Sequence, residues 1–493
     1  MDLFQSNLYK EMRTILKKLF QTKSEVILFL LLFITFSYFF HLEPGWNVNS
    51  RIDLTYAIVD ELSFSIDNYH NKSGFDTGDK AYNPETGHFY SDKNIGLSFL
   101  GIIPYFLLKI ITFPFGIETK PFISRYIITI FSVSLLSAYL GVIIKRLLKL
   151  FDAKEKEALI LAIFFSLGTL CLPYSTIFYP YQPSLLFFTS ALYILVSGKF
   201  KSNIDNIKLF LPGLLCGLAM LFEYTCGIIV VIIWFYLLLN LKNKQKIFMF
   251  SLAILIPLII FFFYNYICFG TPFTIPYKFL HWDFFRESMS HGFMGITGFR
   301  LPALYYITIH PYKGIFFISP ILILIFYGLY LFLKDGKSRT EAIMSLIIII
   351  FYFIFNASYY MWWGGWSAGA RHLIPMLPFA FILLTPVIKK AKTLLIILGV
   401  ISIIFALVPT IVDPQPKQLY PTIELLYPRL EYNYVSPFFE EGVKQFLRGN
   451  IAYNAGKLMG LKNLYSLILL FIFNILFIIV LFKSIKPQES ESS

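Results

Sequence analysis

An arginine and two aspartates follow the first long apolar run of the sequence. Asp53, Tyr56 and Asp60 fall on one face of a helix, and Arg51 comes two residues before Asp53. The apolar residues between them recur at helical spacing, which predicts an amphipathic helix lying on a membrane surface. A carboxylate held there can take a proton from a hydroxyl, and an arginine can grip an anion. The spacing of Ser50 and Asp53 also fits a capping box, in which the carboxylate satisfies backbone donors at the helix start, a role that can coexist with catalysis.

A second group of charged residues lies further along the same loop. Asp79 follows a glycine, and the run Ser91-Asp92-Lys93 comes just before the next apolar segment. An ammonium at the return to the membrane suits a phosphate, because a compact cation beside a low-dielectric boundary attracts anions strongly. Asp92 is placed to orient that ammonium. A lysine there is also typical of an interfacial anchor that extends to the lipid head groups.

Tryptophans, glycines and one arginine are concentrated between residues 359 and 372. Three of the six tryptophans, Trp363 and Trp366 among them, occur within five residues, with glycines beside them. Indole faces can stack on a sugar ring, and glycines let the backbone approach a ligand closely. Arg371 can hold a phosphate through two parallel hydrogen bonds. The alternative is an aromatic belt at the membrane interface with one anchoring arginine.

One carboxylate, Glu223, interrupts a long apolar stretch. An acidic side chain within the membrane is costly unless it is paired, which makes Glu223 a candidate for substrate binding. If the chain turns at this point, Glu223 lies at the outer surface and is solvated. The histidines between residues 268 and 311 lack metal-ligand spacing, so no metal site and no cofactor are predicted, with a divalent metal left open. The sequence also lacks a P-loop, a Gly-x-Ser-x-Gly and a His-Glu-x-x-His motif.

The composition indicates that membrane helices position these residues. Hydrophobic residues make up 57% of the chain and charged residues 14%, whereas soluble domains carry about a quarter charged residues. Apolar runs of spanning length recur along the chain, so the predicted fold is an all-α integral membrane bundle of about 12–13 transmembrane helices, with juxtamembrane helices in the first outer loop. The predicted spans are 25–41, 122–144, 158–173, 181–198, 208–222, 224–240, 247–267, 312–333, 342–360, 372–388, 393–412 and 463–482.

The basic residues predict the orientation of this bundle. The net charge is +13, but Lys and Arg gather in short segments between apolar runs. This is the positive-inside pattern, which orients helices and argues against nucleic acid as a partner. It places both termini in the cytoplasm and the segments 42–121, 268–311, 361–371 and 413–462 outside. The segment 96–115 is apolar enough to span the membrane. Counting it as a crossing would, however, move every later basic loop to the outer side, so it is expected to lie along the outer interface or to re-enter it.

The predicted organisation has a cytoplasmic N-terminus (1–24) and a transmembrane domain (25–412) whose first outer loop (42–121) carries the site. An outer loop (413–462), the last transmembrane helix (463–482) and a short tail (483–493) follow.

The motifs occur in an order that resembles a known family. Arg51-x-Asp53 follows the first helix, Tyr90-Ser91-Asp92-Lys93 closes the first loop, and Phe269-Gly270-Thr271-Pro272 and Trp363-Gly364-Gly365-Trp366 come later. In this order they resemble the bacterial branch of the GT-C membrane glycosyltransferases, which is related to protein O-mannosyltransferases and to the lipid A aminoarabinose transferase (glycosyltransferase family 39). The likeness extends over most of the chain.

This resemblance implies an inverting glycosyltransferase of the cell inner membrane. Such an enzyme moves a sugar from a polyprenyl-phosphate carrier to a glycan, lipid or protein acceptor at the outer, periplasmic face, among membrane lipids. The resemblance gives Asp53 the role of catalytic base, and we expect Lys93, Arg371 and Arg51 to bind the donor phosphate. The predicted substrate-binding residues are Tyr56, Asp60, Asp79, Asp92, Trp363, Trp366 and Glu223. The alternative is a transporter or flippase of lipid-linked sugars, which twelve spans would suit, although the two halves of the sequence show no repeat.

Overall fold

A computed structural model describes residues 19–198, 206–241, 243–417 and 419–485. Most of the predicted N-terminal segment 1–24 and of the tail 483–493 lies outside these residues, as does most of the basic loop that follows residue 198.

The described chain is built almost wholly from α-helices. In chain order they are α1 Lys23–Phe36, α2 Trp46–Glu61, α3 Ile95–Thr112, α4 Pro121–Lys149, α5 Glu155–Leu167, α6 Cys171–Tyr174, α7 Tyr181–Gly198, α8 Asn206–Phe222, α9 Cys226–Asn240, α10 Lys246–Phe269, α11 Asp283–Ser290, α12 Leu301–Thr308, α13 Ile315–Ile318, α14 Ile325–Asp335, α15 Arg339–Ser358, α16 Leu377–Leu384, α17 Val387–Lys390, α18 Lys392–Ile411, α19 Thr422–Leu426, α20 Lys444–Leu447, α21 Ala455–Leu458 and α22 Ile468–Lys483. A π-helical turn at Ile130–Ser134 interrupts α4.

Short 3-10 and π-helical segments and four short strands complete the described structure. The 3-10 segments are Phe113–Phe115, Pro276–Phe279, Pro320–Leu324, Arg371–Met376 and Asn463–Leu467, and a second π-helical turn is Phe438–Val443. Strand β1 (Phe39–Phe40) pairs antiparallel with β4 (Tyr453–Asn454), and β2 (Lys80–Asn83) pairs antiparallel with β3 (His88–Ser91). The β2–β3 hairpin turns the chain back towards α3 and so determines where Asp92 and Lys93 lie.

The helices have the length and composition of membrane spans. In the described chain, six stretches are long and apolar enough to cross a bilayer, and they are Ile95–Phe115, Pro121–Lys149, Lys246–Phe269, Arg339–Ser358, Lys392–Ile411 and Asn463–Lys483. Shorter apolar helices, such as Leu209–Phe222 and Cys226–Asn240, lie between them. The predicted fold class is confirmed: the chain is a multi-pass α-helical membrane protein. The number of crossings stays a prediction.

Helix α3, in the segment expected to lie along the outer interface, combines a buried start with an exposed apolar end. Its first residues pack inside the protein, whereas Ile103, Phe106, Ile110 and Ile111 are each more than half exposed. Ile95–Phe115 meets the length and hydropathy of a span. An exposed apolar surface of this kind suits contact with lipid, and whether the segment crosses the membrane or lies along it stays a prediction.

Helix α2 differs from the helix predicted at the same place. It begins at Trp46 with Gly45 as its N-cap, so Ser50 and Asp53 lie inside the helix and the capping-box interpretation is wrong. Every residue from Val48 to Ala57 is buried. Because no face of this stretch is left open, α2 is enclosed by protein instead of lying on a membrane surface.

Glycines let two of the central helices approach each other closely. A Cβ atom at Gly213 would lie 2.3 Å from the carbonyl oxygen of Phe250, and one at Gly217 would lie 2.5 Å from that of Ile254. The two glycines are one turn apart on α8, so their face of α8 rests directly on the backbone of α10. Small residues at this spacing are typical of helix packing within membranes.

Buried charges join three helix ends that were predicted to face the cytoplasm. Glu25, at the start of α1, accepts hydrogen bonds from Arg146 at 2.6 Å and from Lys145 at 3.4 Å, near the end of α4. The Lys145 ammonium also lies 2.5 Å from a carboxylate oxygen of Glu155, at the start of α5. This network defines one end of the bundle. Arg125 lies twenty residues before Lys145 on α4, about 30 Å along the helix axis, and so marks the opposite end.

Candidate functional site

A cavity of about 900 Å³ opens at the end of the bundle that contains Arg125. Its walls come from segments that are distant in sequence but were predicted to lie on the outer side of the membrane, in turns facing that side, or at the outer ends of spans. The lining segments are residues 42–51, 74–79, 92–94, 125, 179–181, 223, 277–289, 359–372, 415 and 422. The predicted topology therefore brings together loops that do meet in space.

Two arginines approach one tyrosine ring in the cavity wall. The guanidinium carbon of Arg51 lies 5.8 Å from the ring centroid of Tyr179, and that of Arg371 lies 5.5 Å from the same centroid. The two carbons are therefore at most about 11 Å apart. Within the described chain, neither arginine forms an ion pair, and the Nε atom of each is buried without a hydrogen-bond partner. Two neighbouring cations with free N–H donors form a site suited to an anion.

Lys93 also lines the cavity, but its charge is already compensated. Its ammonium lies 2.9 Å from a carboxylate oxygen of Asp79 and 3.1 Å from one of Asp92. Burial alone would lower the pKa of Lys93, and the two carboxylates together raise it. Burial raises the pKa of Asp92 to about 6, although Lys93 opposes the shift. The predicted orientation of Lys93 by Asp92 is thus seen, with Asp79 as a second partner.

The tryptophan-rich segment forms a hairpin that carries Arg371 into the cavity. Gly364 and Gly365 adopt φ values of +74° and +68°, which favour glycine. A Cβ at Gly364 would lie 3.0 Å from Cγ of Arg371. Behind the hairpin, the ammonium of Lys313 donates to the backbone oxygens of Ser367 at 2.6 Å and Gly365 at 3.2 Å. The backbone conformation and this lysine together fix the direction of Arg371.

The two predicted tryptophans line the cavity in different ways. Trp363 is almost fully buried, whereas Trp366 is 47% exposed. A half-exposed indole in the cavity wall can stack on a sugar, whereas the buried one packs against Trp362, with ring centroids 6.0 Å apart.

Glu223 lies in the turn between α8 and α9 and also lines the cavity. Its carboxylate accepts a hydrogen bond from the Thr225 hydroxyl at 3.1 Å. Burial raises its pKa, and Arg51 opposes the shift. The turn predicted at Glu223 is present, but the side chain faces a recess instead of open solvent.

Asp53 is not brought to the cavity. It is fully buried on α2, one turn after the cavity-lining Asn49, and within the described chain both of its carboxylate oxygens lack a hydrogen-bond partner. Burial raises the pKa of Asp53 well above its ordinary value, with Arg125 opposing the shift. A carboxyl group enclosed away from the cavity is poorly placed to take a proton from a bound hydroxyl, so the base role predicted for Asp53 gains no support from its placement.

Tyr56 and Asp60 are also absent from the cavity wall. The Tyr56 hydroxyl lies 2.6 Å from that of Ser124. Asp60 accepts a hydrogen bond from Tyr105 at 2.8 Å and pairs with Lys109 at 2.9 Å. Both residues therefore join α2 to the helices that follow it, and the substrate contacts predicted for them gain no support from this placement.

Several cavity residues were not identified from the sequence. Tyr179 lies in a short loop between predicted spans, and Gln415 donates to its hydroxyl at 2.9 Å from the loop after α18. Arg125 enters the wall from the start of α4, and the buried Nε2 of His372 lacks a hydrogen-bond partner within the described chain. An isolated tyrosine, glutamine or histidine in an apolar sequence carries no spacing signal, so none of these could be found before the fold was known.

The residues described by the structure include no group of three or more His, Cys, Asp or Glu side chains arranged to hold a metal ion.

Fold and site together define a multi-pass membrane protein with a cavity lined by charged and aromatic residues at one end of its helical bundle. No family model matches the sequence, and no curated protein matches it. Among solved structures, the chain is similar to the archaeal oligosaccharyltransferase AglB from Archaeoglobus fulgidus, which was determined in complex with an inhibitory peptide and a dolichol-phosphate. The identity is 13% and the TM-score 0.46; the match covers 82% of this chain and 55% of that one.

Proposed function

We propose that the chain is a glycosyltransferase of the GT-C type, which moves a sugar from a polyprenyl-phosphate carrier to an acceptor at the outer face of the cell membrane. The observation that carries this proposal is the pair of arginines, Arg51 and Arg371, which form no ion pair in the described chain and lie beside Tyr179 in a cavity at one end of a membrane bundle. The phosphate of a membrane lipid is an anion that can reach a cavity at the end of a membrane bundle. The order of motifs along the sequence supports the same class of enzyme.

The arginine pair suits the charge change of the reaction. The phosphate of the donor carries one negative charge while it is esterified to the sugar, and about −1.5 to −2 once the sugar has left. Two guanidinium groups held in place before the reaction stabilise that added charge without reorganisation. Both groups also offer free N–H donors, so they can bind the departing phosphate directly.

The rest of the cavity suits a sugar. The Asp79–Lys93–Asp92 group presents acceptors and a donor for ring hydroxyls, and the half-exposed Trp366 offers a flat face. We place Lys93 with the sugar and not with the phosphate, because two carboxylates already compensate its charge. The acceptor is a glycan, a lipid or a protein, and its identity is part of the test below.

A transfer assay in detergent tests the proposal. Purified protein is incubated with a radiolabelled polyprenyl-phosphate hexose and an extract of envelope lipids, glycans and proteins from the source cells. Label in the extract, together with released polyprenyl phosphate, is the expected result. An enzyme needs no sealed membrane, whereas a transporter or flippase requires two compartments. Movement of the labelled lipid across proteoliposomes, with no release of sugar in detergent, would therefore replace this proposal with transport.

A further inference from the structure

Five carboxylates line the cavity in the described chain, and they differ in their exposure and in whether they form ion pairs. They are Glu43, Asp76, Asp79, Asp92 and Glu223. Glu43 and Asp76 are exposed at the rim. Asp79 and Asp92 both pair with Lys93. Only Glu223 is both recessed and outside any ion pair among the described residues.

The contacts of Glu223 are local and leave its carboxylate available. The Thr225 hydroxyl and, at 3.5 Å, the Thr225 backbone N–H donate to the same oxygen, Oε1. The backbone of the turn is fixed separately, since the Glu223 N–H donates to Ala219 at 2.9 Å and Cys226 donates to the Glu223 carbonyl at 3.0 Å. Oε2 is therefore free to accept a hydrogen bond from a ligand, while the residue itself is held rigidly.

Close packing brings this turn against the segment that carries Lys93. A Cβ atom at Gly96 would lie 2.6 Å from the Phe222 ring and 2.8 Å from the carbonyl oxygen of Leu221. Only a glycine at the start of α3 allows α8 to come this near. As a result, the Glu223 turn shares a wall of the cavity with residues 92–94.

We propose that Glu223 is the general base of the transfer, the group that accepts the proton of the acceptor hydroxyl. The acceptor oxygen forms a bond to the anomeric carbon, and the bond from that carbon to the phosphate oxygen breaks. Its electron pair stays on the phosphate, which the arginine pair holds. The hydroxyl proton moves to Oε2 of Glu223 and later leaves to solvent. With one base and no second nucleophile, the anomeric configuration inverts. This assignment rests on the glycosyltransferase function proposed above.

The surroundings of Glu223 suit a base. Burial raises its pKa, so it binds a proton more strongly than an exposed glutamate does, while Arg51 opposes the rise. Asp92 and Asp79 are ion-paired with Lys93, and Asp53 does not line the cavity, so none of these three carboxylates combines a place in the cavity wall with freedom from an ion pair.

The test compares wild type, Glu223→Ala, Glu223→Gln and a matched control, Glu287→Ala, at an exposed glutamate of α11 outside the cavity wall. Release of polyprenyl phosphate from a radiolabelled polyprenyl-phosphate hexose is measured in detergent, with water and the envelope extract as acceptors. We expect both Glu223 variants to lose 10²–10⁴-fold in rate, the usual contribution of general-base catalysis, and the control to match wild type.

Azide distinguishes a base from a structural residue. Azide attacks as an anion and has no proton to lose, so it is expected to restore turnover of Glu223→Ala by at least about tenfold, with a glycosyl azide as product. It should barely affect wild type. Binding of polyprenyl phosphate to each variant shows whether the cavity is intact, and the Gln variant keeps the side-chain shape if the Ala variant is unstable.

Each outcome separates the two proposals. A wild-type protein that releases no sugar to any acceptor overturns the proposed function. An active wild type with Glu223→Gln within threefold of it overturns the base assignment alone. Loss of activity with intact donor binding and no azide rescue also overturns the base assignment, because it shows that Glu223 positions the site without taking the proton.

Discussion

Replacement of Arg371 by alanine measures how much the arginine pair contributes to phosphate binding. Arg371 can donate two parallel hydrogen bonds to one phosphate, and a hydrogen bond to a charged group contributes about 1.5–3 kcal/mol. Its guanidinium has no ion-pair partner in the described chain, so it is available to bind the phosphate. Two such bonds at the lower end of this range contribute about 3 kcal/mol of binding free energy, so losing them raises the dissociation constant roughly a hundredfold. Arg371→Lys keeps the charge but loses the planar fork, so we expect about a tenfold loss.

The assay is a titration of purified protein in detergent with a short-chain polyprenyl phosphate, followed by tryptophan fluorescence, since Trp363 and Trp366 line the cavity. Arg429→Ala serves as the control, because the Arg429 side chain is 65% exposed and lies outside the cavity wall. An Arg371→Ala affinity within threefold of wild type would refute the phosphate site described above. So would an equal loss of affinity in Arg429→Ala.

Gly364→Ala is expected to weaken the same binding by about tenfold, because a Cβ in a backbone at φ +74° would press on the neighbouring arginine; the titration above checks it. The raised pKa of Asp92, from 3.8 to about 6, means that the folded state holds this proton more tightly than the unfolded chain, so stability falls as pH rises through that range, and Asp92→Asn should flatten the slope of melting temperature against pH. Glu25→Gln should lower the melting temperature, since the buried Arg146 loses its ion-pair partner at a cost of about 3–5 kcal/mol, while Lys145 keeps Glu155, whereas Lys337→Ala, at an exposed ion pair, should leave it unchanged. Asp53→Asn should keep sugar transfer, because the side chain does not line the cavity.

The Asp53→Asn variant distinguishes two assignments of the base: Asp53, which the family resemblance implies, and Glu223, which the geometry of the cavity supports. If Asp53→Asn abolishes transfer while the protein stays folded and still binds polyprenyl phosphate, the base role that the resemblance gives to Asp53 is correct, and the assignment of Glu223 is wrong. For Asp92, an unchanged pH dependence in the Asn variant would show that its proton is not bound more tightly on folding. For Glu25, equal melting temperatures of Glu25→Gln and wild type would show that the buried network adds no net stability.

The sequence was most informative about the membrane framework. Apolar runs predicted a helix at each of the six membrane-length stretches, because spanning length is a local property, whereas the short helices of the outer loops (α11, α12 and α19 to α21) were not predicted. The predicted alternation of inner and outer segments also places Glu25, Lys145 and Glu155 at the same end of the bundle, where they meet in the structure. The orientation of that end towards the cytoplasm stays a prediction.

The candidate site was predicted only in part, for physical reasons. Arg51 and Arg371 were found because arginines beside membrane spans are conspicuous, and both line the cavity. Helical periodicity grouped Asp53 with Tyr56 and Asp60. All faces of α2 between residues 48 and 57 are buried, however, so the pattern of apolar residues could not show which face lines the cavity. The pairing of cavity residues across α2, α8 and the 359–372 hairpin depends on tertiary packing that no local pattern encodes.

The most direct measurement is a cryo-electron microscopy structure of the protein with bound polyprenyl phosphate. We expect density for the phosphate within hydrogen-bond distance of both Arg51 and Arg371, beside the ring of Tyr179, with the lipid chain leaving the cavity towards the membrane. Phosphate density elsewhere, for example against Arg125 with the arginine pair empty, would contradict the site on which the proposed function depends.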